Sequence, residues 1–128
     1  MIKVIIDTST VIDFTRAGIG QLPDLLTDAK SLELELFIPT VVILEFWAGK
    51  SMELSENIRA ADKLFFGIKR IDLTESIAKL AGKLLRQNRL TSPVDAIIAA
   101  TALELDAKLA TGNRRHFAGI KDLKFWPK

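Results

Sequence analysis

The chain of 128 residues contains no cysteine and a single histidine, His116. The first absence removes disulfides, thiolate metal sites and cysteine nucleophiles together. The second excludes a zinc site built from several histidines. Any metal here must be held mainly by oxygen atoms, which points to magnesium or manganese. No uncharged apolar run reaches about 18 residues, so no membrane span is expected. A secretory leader is not expected either, because the opening apolar segment meets Asp7 too soon. These readings predict a soluble, cytoplasmic protein. With 48% hydrophobic and 27% charged residues, 1–128 reads as a single domain able to fold around its own core.

The net charge of +2 says less than its distribution. Residues 1–106 carry 12 basic and 15 acidic side chains, whereas residues 107–128 carry 6 and 1. An acidic body with a basic end suits approach to a polyanion, and a solvated lysine-rich end is the plainer alternative.

Ile2 to Ile6 is apolar apart from Lys3 and reads as a buried parallel strand. Thr8, Ser9 and Thr10 offer caps for a helix entering at Val11, which Gly18-Ile19-Gly20 would break. Leu22, Leu25, Leu26, Ala29 and Leu32 recur at helical spacing, and Leu34–Ile38 suggests a second strand. A helix capped by Thr40 is expected through Ala48 and another over 55–66, followed by a short strand over 69–73. Thr74 opens an amphipathic helix with Ile77, Leu80, Ala81, Leu84 and Leu85 on one face. Ser92-Pro93 opens the next, with serine at the cap and proline at the first helical position. Lys108–Thr111 and a segment including Leu123–Phe125 close the pattern. Alternating strands and helices predict an α/β fold, helices sandwiching a mostly parallel sheet, with ligands beyond the carboxyl ends of the strands.

Acids interrupt this apolar pattern at three places. Asp7 ends Val4-Ile5-Ile6, Glu45 lies in the otherwise apolar Val41–Ala48, and Asp95 opens Ala96–Ala100. A helix without a polar face is expected to be buried, and an ionised carboxylate there costs several kcal/mol unless compensated. Each acid also has a plain explanation: Asp7 as a turn residue, and Asp95 in the capping box Ser92-x-x-Asp95. Asp13 fits Thr10-x-x-Asp13 in the same way, and that reading is preferred for it. Glu45 is the hardest to explain structurally. Asp95, Ala99 and Ala102 form one helical stripe, an acid beside small residues that would let a ligand approach. Carboxylates gathered from a strand end and two helices would repel one another until a divalent cation joined them.

Asp7-Thr8-Ser9-x-x-Ile12-Asp13, Glu45 in its apolar helix, Ser92-Pro93-x-Asp95-Ala96-Ile97-Ile98-Ala99-Ala100 and Leu109-Ala110-Thr111-x-Asn113-x-x-His116-Phe117 together resemble the PIN domain. Within it they resemble the VapC toxins of type II toxin–antitoxin pairs. The resemblance covers nearly the whole chain, in the family's order. It implies a three-layer α/β/α PIN fold and a magnesium- or manganese-dependent endoribonuclease, with metal-activated water as nucleophile. It carries the metal-binding acids onto Asp7, Glu45 and Asp95, and the family's fourth position, often Asp, onto Asn113. That departure removes a negative charge and leaves open whether one metal binds or two. Ser9 and Thr111 fall on hydroxyl positions that support the acids and waters of the site.

Arg114, Arg115 and His116 then read as contacts to RNA phosphates, with Lys108, Lys121 and Lys124 nearby, or else as a solvated basic loop. For His116 a structural role beside Phe117 is favoured over that of a general acid. Phe46, Trp47, Phe65 and Phe66 are expected mainly in the core, some of them at an interface. The implied partners are a VapB-like antitoxin, an RNA substrate such as tRNA or rRNA, and a second copy in a homodimer. Two other readings stay open: a catalytically silent PIN module that binds RNA or protein, and a receiver-like domain. The latter needs a phospho-accepting Asp at the end of a central strand, for which Asp72 is the only candidate.

Overall fold

The computed structural model of the protein describes residues 1–17, 20, 22–31, 33–88 and 92–127. The breaks read at Gly18 and Ile19, and Leu32 of the apolar stripe, lie outside the described residues. Five strands form one all-parallel sheet in the order β3-β2-β1-β4-β5. They are β1 (Ile2–Ile6), β2 (Leu34–Pro39), β3 (Lys69–Ile71), β4 (Lys108–Ala110) and β5 (Lys124–Phe125). The helices are α1 (Thr8–Ala17), α2 (Leu22–Lys30), α3 (Thr40–Trp47), α4 (Ser55–Phe65), α5 (Glu75–Asn88) and α6 (Pro93–Glu104). Short 3-10 turns occupy Lys50–Glu53 and Arg114–Phe117. This is the expected three-layer α/β/α arrangement. No helix among the described residues is long and apolar enough to cross a membrane.

β1 holds the centre because Val4, Ile5 and Ile6 are apolar on both faces, and all three are fully buried. On α5 the periodic stripe does what its spacing predicts. Ile77, Ala81 and Leu84 are buried and the helix packs along α6, each large aliphatic side chain contributing roughly 1.5–3 kcal/mol. Thr74 Oγ1 accepts from the Ile77 N–H at 3.1 Å, and Ser92 Oγ accepts from the Asp95 N–H at 3.3 Å, so both helices are capped as expected.

Elsewhere local signals give way. α1 starts at Thr8 rather than Val11: Asp7 takes the cap position, its Oδ1 accepting from the Thr8 N–H at 2.8 Å and its carbonyl from the Thr10 N–H at 3.1 Å. Thr10 therefore lies inside the helix, where its hydroxyl donates to the Ala110 carbonyl at 2.8 Å and ties α1 to β4. The box read for Asp13 has no cap to pair with. Thr40 does not cap α3 either; β2 runs straight into it, and Pro39 fills the cap position without a side-chain bond. β3 ends at Ile71 on the sheet edge, which removes Asp72 from the central position a receiver-like domain requires.

Two burial expectations are corrected. α3 is apolar nearly all round yet only Val42 is buried, and Leu44 is 63% exposed. Its outer face meets no other part of the described chain. On α6, Ala99 and Ala102 have no exposed surface. α6 packs against α5, α3 and the sheet, so the protein itself, not a ligand, encloses them.

Candidate active site

The carboxyl ends of the two central strands bring Asp7 and Thr111 side by side, since Ile6 pairs with Ala110 and each residue follows its strand directly. Asp7 is only 4% exposed and Thr111 3%. Asp7 Oδ2 accepts from Thr111 Oγ1 at 2.6 Å and from Ser9 Oγ at 2.9 Å, while the two hydroxyl oxygens lie 3.2 Å apart. Each hydroxyl in turn accepts a backbone N–H from the loop after β4: Gly112 onto Ser9 at 2.9 Å and Asn113 onto Thr111 at 3.0 Å. Two parallel relays thus run from backbone N–H through hydroxyl to one carboxylate oxygen, each bond polarising the next.

The remaining acids enter from two helices. Glu45, half-buried on α3, accepts from Thr8 Oγ1 at 2.5 Å, which links it to the residue following Asp7. Asp95, half-buried in the first turn of α6, lies 3.4 Å through Oδ2 from His116 Nδ1. That imidazole nitrogen is 3.5 Å from the side-chain amide of Asn113. The Asp95 carboxyl is held above its ordinary pKa, first by burial and then by the negative charge of Asp7, with Glu45 adding to it. His116 acts against this. Three acids from separate elements therefore share one electrostatic site.

Each acid keeps an unoccupied oxygen position. A carboxylate offers about four lone-pair directions. Asp7 uses three, one for Thr8 and two for the hydroxyls. Glu45 Oε2 and Asp95 Oδ1 make no hydrogen bond among the described residues. The donor set, all hard oxygen, suits magnesium or manganese. Among the described residues no three acid or histidine side chains stand close enough to enclose an ion as placed.

Two residues differ from their sequence reading. His116, adjoining the buried Phe117, is exposed and faces Asp95, a partner its sequence neighbours do not indicate. Arg114 does not project freely: its guanidinium donates to the Pro127 carbonyl and sits 5.0 Å over the Phe125 ring, fastening the turn to β5. Arg115 is exposed and has no ion pair among the described residues. Lys108 and Lys124 do not flank the Asn113 loop; they begin β4 and β5, at the opposite ends of the strands.

Asp13 is a residue the sequence reading set aside. Its Oδ2 would lie 2.6 Å from a Cβ added at Gly112, and Ser9 Oγ 3.6 Å from it, so any larger residue where the loop passes α1 would push the Asp13 carboxylate aside. The Gly112 that precedes Asn113 was the available signal.

Beside Glu45 opens a groove of about 850 Å³ between α1, α3 and α4, lined by Ile12, Phe14, Phe46, Met52 and Leu64, with Lys50 and Lys63 also in its wall. Phe46, Trp47 and Phe65 cluster with ring centroids 5.6–6.1 Å apart. Phe65 is buried beneath the groove, whereas Phe66 is 86% exposed.

Comparison with known proteins agrees with this architecture. The model of the PIN domain matches residues 4–123. Ribonuclease VapC19 of Mycobacterium tuberculosis is 33% identical over 127 residues, spanning 94% of this chain and 96% of the relative. VapBC2 from Rickettsia felis, solved bound to a DNA fragment from its promoter, superposes with a TM-score of 0.83 at 21% identity, covering 97% of each chain. A toxin–antitoxin complex from Klebsiella pneumoniae superposes with a TM-score of 0.70 at 25% identity, covering 94% of each. With a family match over nearly its whole length, a relative of equal extent and three acids gathered from a strand end and two helices, the chain belongs to the PIN domain family.

Proposed function

We propose that this chain is a metal-dependent endoribonuclease that acts as the toxin of a toxin–antitoxin pair. The observation that carries the reading is the convergence of Asp7 from a strand end and Glu45 and Asp95 from two helices on one site, close enough that the charges of the first two, after burial, help hold the Asp95 carboxyl above its ordinary pKa. A protein selected only for stability has little reason to gather three carboxylates at one place. The ribonuclease name of the relative matching 94% of the chain supports the same reading.

Asp7, Glu45 and Asp95 would hold magnesium or manganese through the oxygens left open. When bound, such a cation supplies Lewis-acid charge at the scissile phosphate and lowers the pKa of a water. The chain's own groups set the geometry. The Ser9 and Thr111 relays fix Asp7 in one orientation and hold the Asn113 loop against it. Asn113 offers an amide where an acid would add a further charge, so it orients a phosphate or water by hydrogen bonding. His116, 3.4 Å from Asp95, can carry a proton at the rim. Arg115 is placed to meet RNA phosphate.

The groove beside Glu45 is where we place the antitoxin. Its apolar walls fit the buried face of an amphipathic segment, and Glu45 at its side fits a basic residue that would neutralise the acids. The likeness to a toxin–antitoxin complex from Klebsiella pneumoniae supports a partner of this kind. The same reading includes a homodimer, to which the exposed Leu44 and Phe66 give apolar surface.

The deciding experiment is cleavage of total cellular RNA by antitoxin-free protein with magnesium, manganese or EDTA, beside Asp7→Asn. Discrete products that require both the metal and Asp7 are expected. Products unchanged in EDTA or in Asp7→Asn would refute the assignment. RNA affinity without any cleavage would move the protein to the silent binding module.

A further inference from the structure

Lys108 and Lys124 are register partners on adjacent parallel strands, so their side chains leave the same face of the sheet one strand spacing apart. Two like charges side by side cost stability, and among the described residues neither lysine has an ion-pair partner. Together with Lys3 they line a pocket of about 310 Å³ at the amino ends of β1, β4 and β5, in which Asp106 is the only acid. Lys3 spends part of its field on Glu35 across the β1–β2 pair; Lys108 and Lys124 do not.

This pocket lies on the far side of the strands from the acids. At about 3.3 Å per residue, β4 separates the Lys108 backbone from Thr111 by about 10 Å. The two ends are joined along the free edge of the sheet. There the Asn113 loop leads to Arg114, whose guanidinium rests on Phe125, and Phe125 follows Lys124 in β5. Arg114 therefore stands on this edge between the acid pocket and the Lys108–Lys124 pair.

We propose that Lys108 and Lys124 form a phosphate-binding site for the backbone of the RNA substrate, remote from the scissile bond and reached along the β5 edge. This rests on the ribonuclease reading and adds to it the path of the chain being cut. Contacts of this kind secure the substrate without reading its sequence, and each releases counterions when made.

The test is the salt dependence of binding of a labelled 20-nucleotide mixed-sequence single-stranded RNA, measured by fluorescence anisotropy on Asp7→Asn protein to prevent cleavage. Adding Lys108→Gln and Lys124→Gln should make the slope of log affinity against log salt shallower by about 1.4, because each phosphate contact on a single strand contributes about 0.7. Lys108→Arg with Lys124→Arg should keep the slope, and Lys79→Gln with Lys83→Gln on α5 should match the parent. Cleavage of a dinucleotide by otherwise wild-type protein should be unchanged by the glutamine pair, since its single phosphate cannot occupy both sites. A slope equal to that of the α5 control overturns the proposal while leaving the nuclease assignment intact. Wild-type protein that neither binds nor cuts RNA overturns both.

Discussion

Replacing Thr111 by valine keeps the shape of a buried side chain and deletes one hydroxyl. In the structure that hydroxyl donates to Asp7 Oδ2 at 2.6 Å and accepts from the Asn113 N–H at 3.0 Å. Loss of a hydrogen bond to a charged group costs about 1.5–3 kcal/mol. The stranded Asn113 N–H adds about 1 kcal/mol, the lower end of the range because the neighbouring loop is exposed and water can reach it. The expected destabilisation is about 3 kcal/mol, which for a chain of this length is a fall of about 10 °C in Tm by calorimetry. Thr111→Ser retains the hydroxyl and should cost about 1 kcal/mol, from the lost methyl alone. In an Asp7→Asn background the valine substitution should cost at least 1 kcal/mol less, because the charged acceptor has already gone. Cleavage should fall about 10–100-fold, as expected when a group orienting a metal ligand is removed. Equal Tm values for the valine and serine variants would refute the relay.

Asp95→Asn should raise the Tm in EDTA at pH 7. A carboxyl with a raised folded-state pKa adds most to stability below its unfolded value of about 3.9, and that contribution is lost as pH rises through the folded value. The Tm gain over wild type should therefore vanish in acid; a gain independent of pH would show that repulsion is not its source. Gly112→Ala should lower Tm by bringing a methyl 2.6 Å from Asp13 Oδ2, and Asp13→Ala should relieve most of that loss; equal losses in both backgrounds would exclude the clash. Phe65→Ala, at a site only 1% exposed, should cost about 3–5 kcal/mol and alter Trp47 fluorescence, since the rings lie 6.1 Å apart; a loss below 1 kcal/mol would place Phe65 outside the core.

Much of the fold was legible because its signals are local. The Ser92 cap, the α5 stripe and the unbroken Val4–Ile6 run each express a period or a spacing that a short window contains. Side chains whose partners lie far along the chain were not legible in that way. Thr10 resembles a cap, yet its hydroxyl is used by Ala110, 100 residues on. Asp13 resembles a box residue, yet what it faces is Gly112. Periodicity shows that α3 is apolar but not how much of it the chain covers, and Leu44 shows that one face stays open while Val42 is buried. The acids could be singled out one by one, and the resemblance to PIN domains grouped them. Lys108 and Lys124 were misplaced because proximity in sequence to Asn113 cannot reveal which end of a strand a residue occupies.

The pairing of β1 with β4 ties the first acid to a loop more than a hundred residues later. Ser9 lies two residues from Asp7, whereas Thr111, which shares the same carboxylate oxygen, follows it by 104 residues. A growing or truncated chain thus carries its acids without the loop that orders them. On the proposed nuclease reading, a chain cut short before Thr111 would hold Asp7 through Ser9 alone, so orientation of the first acid depends on the fold closing across more than a hundred residues.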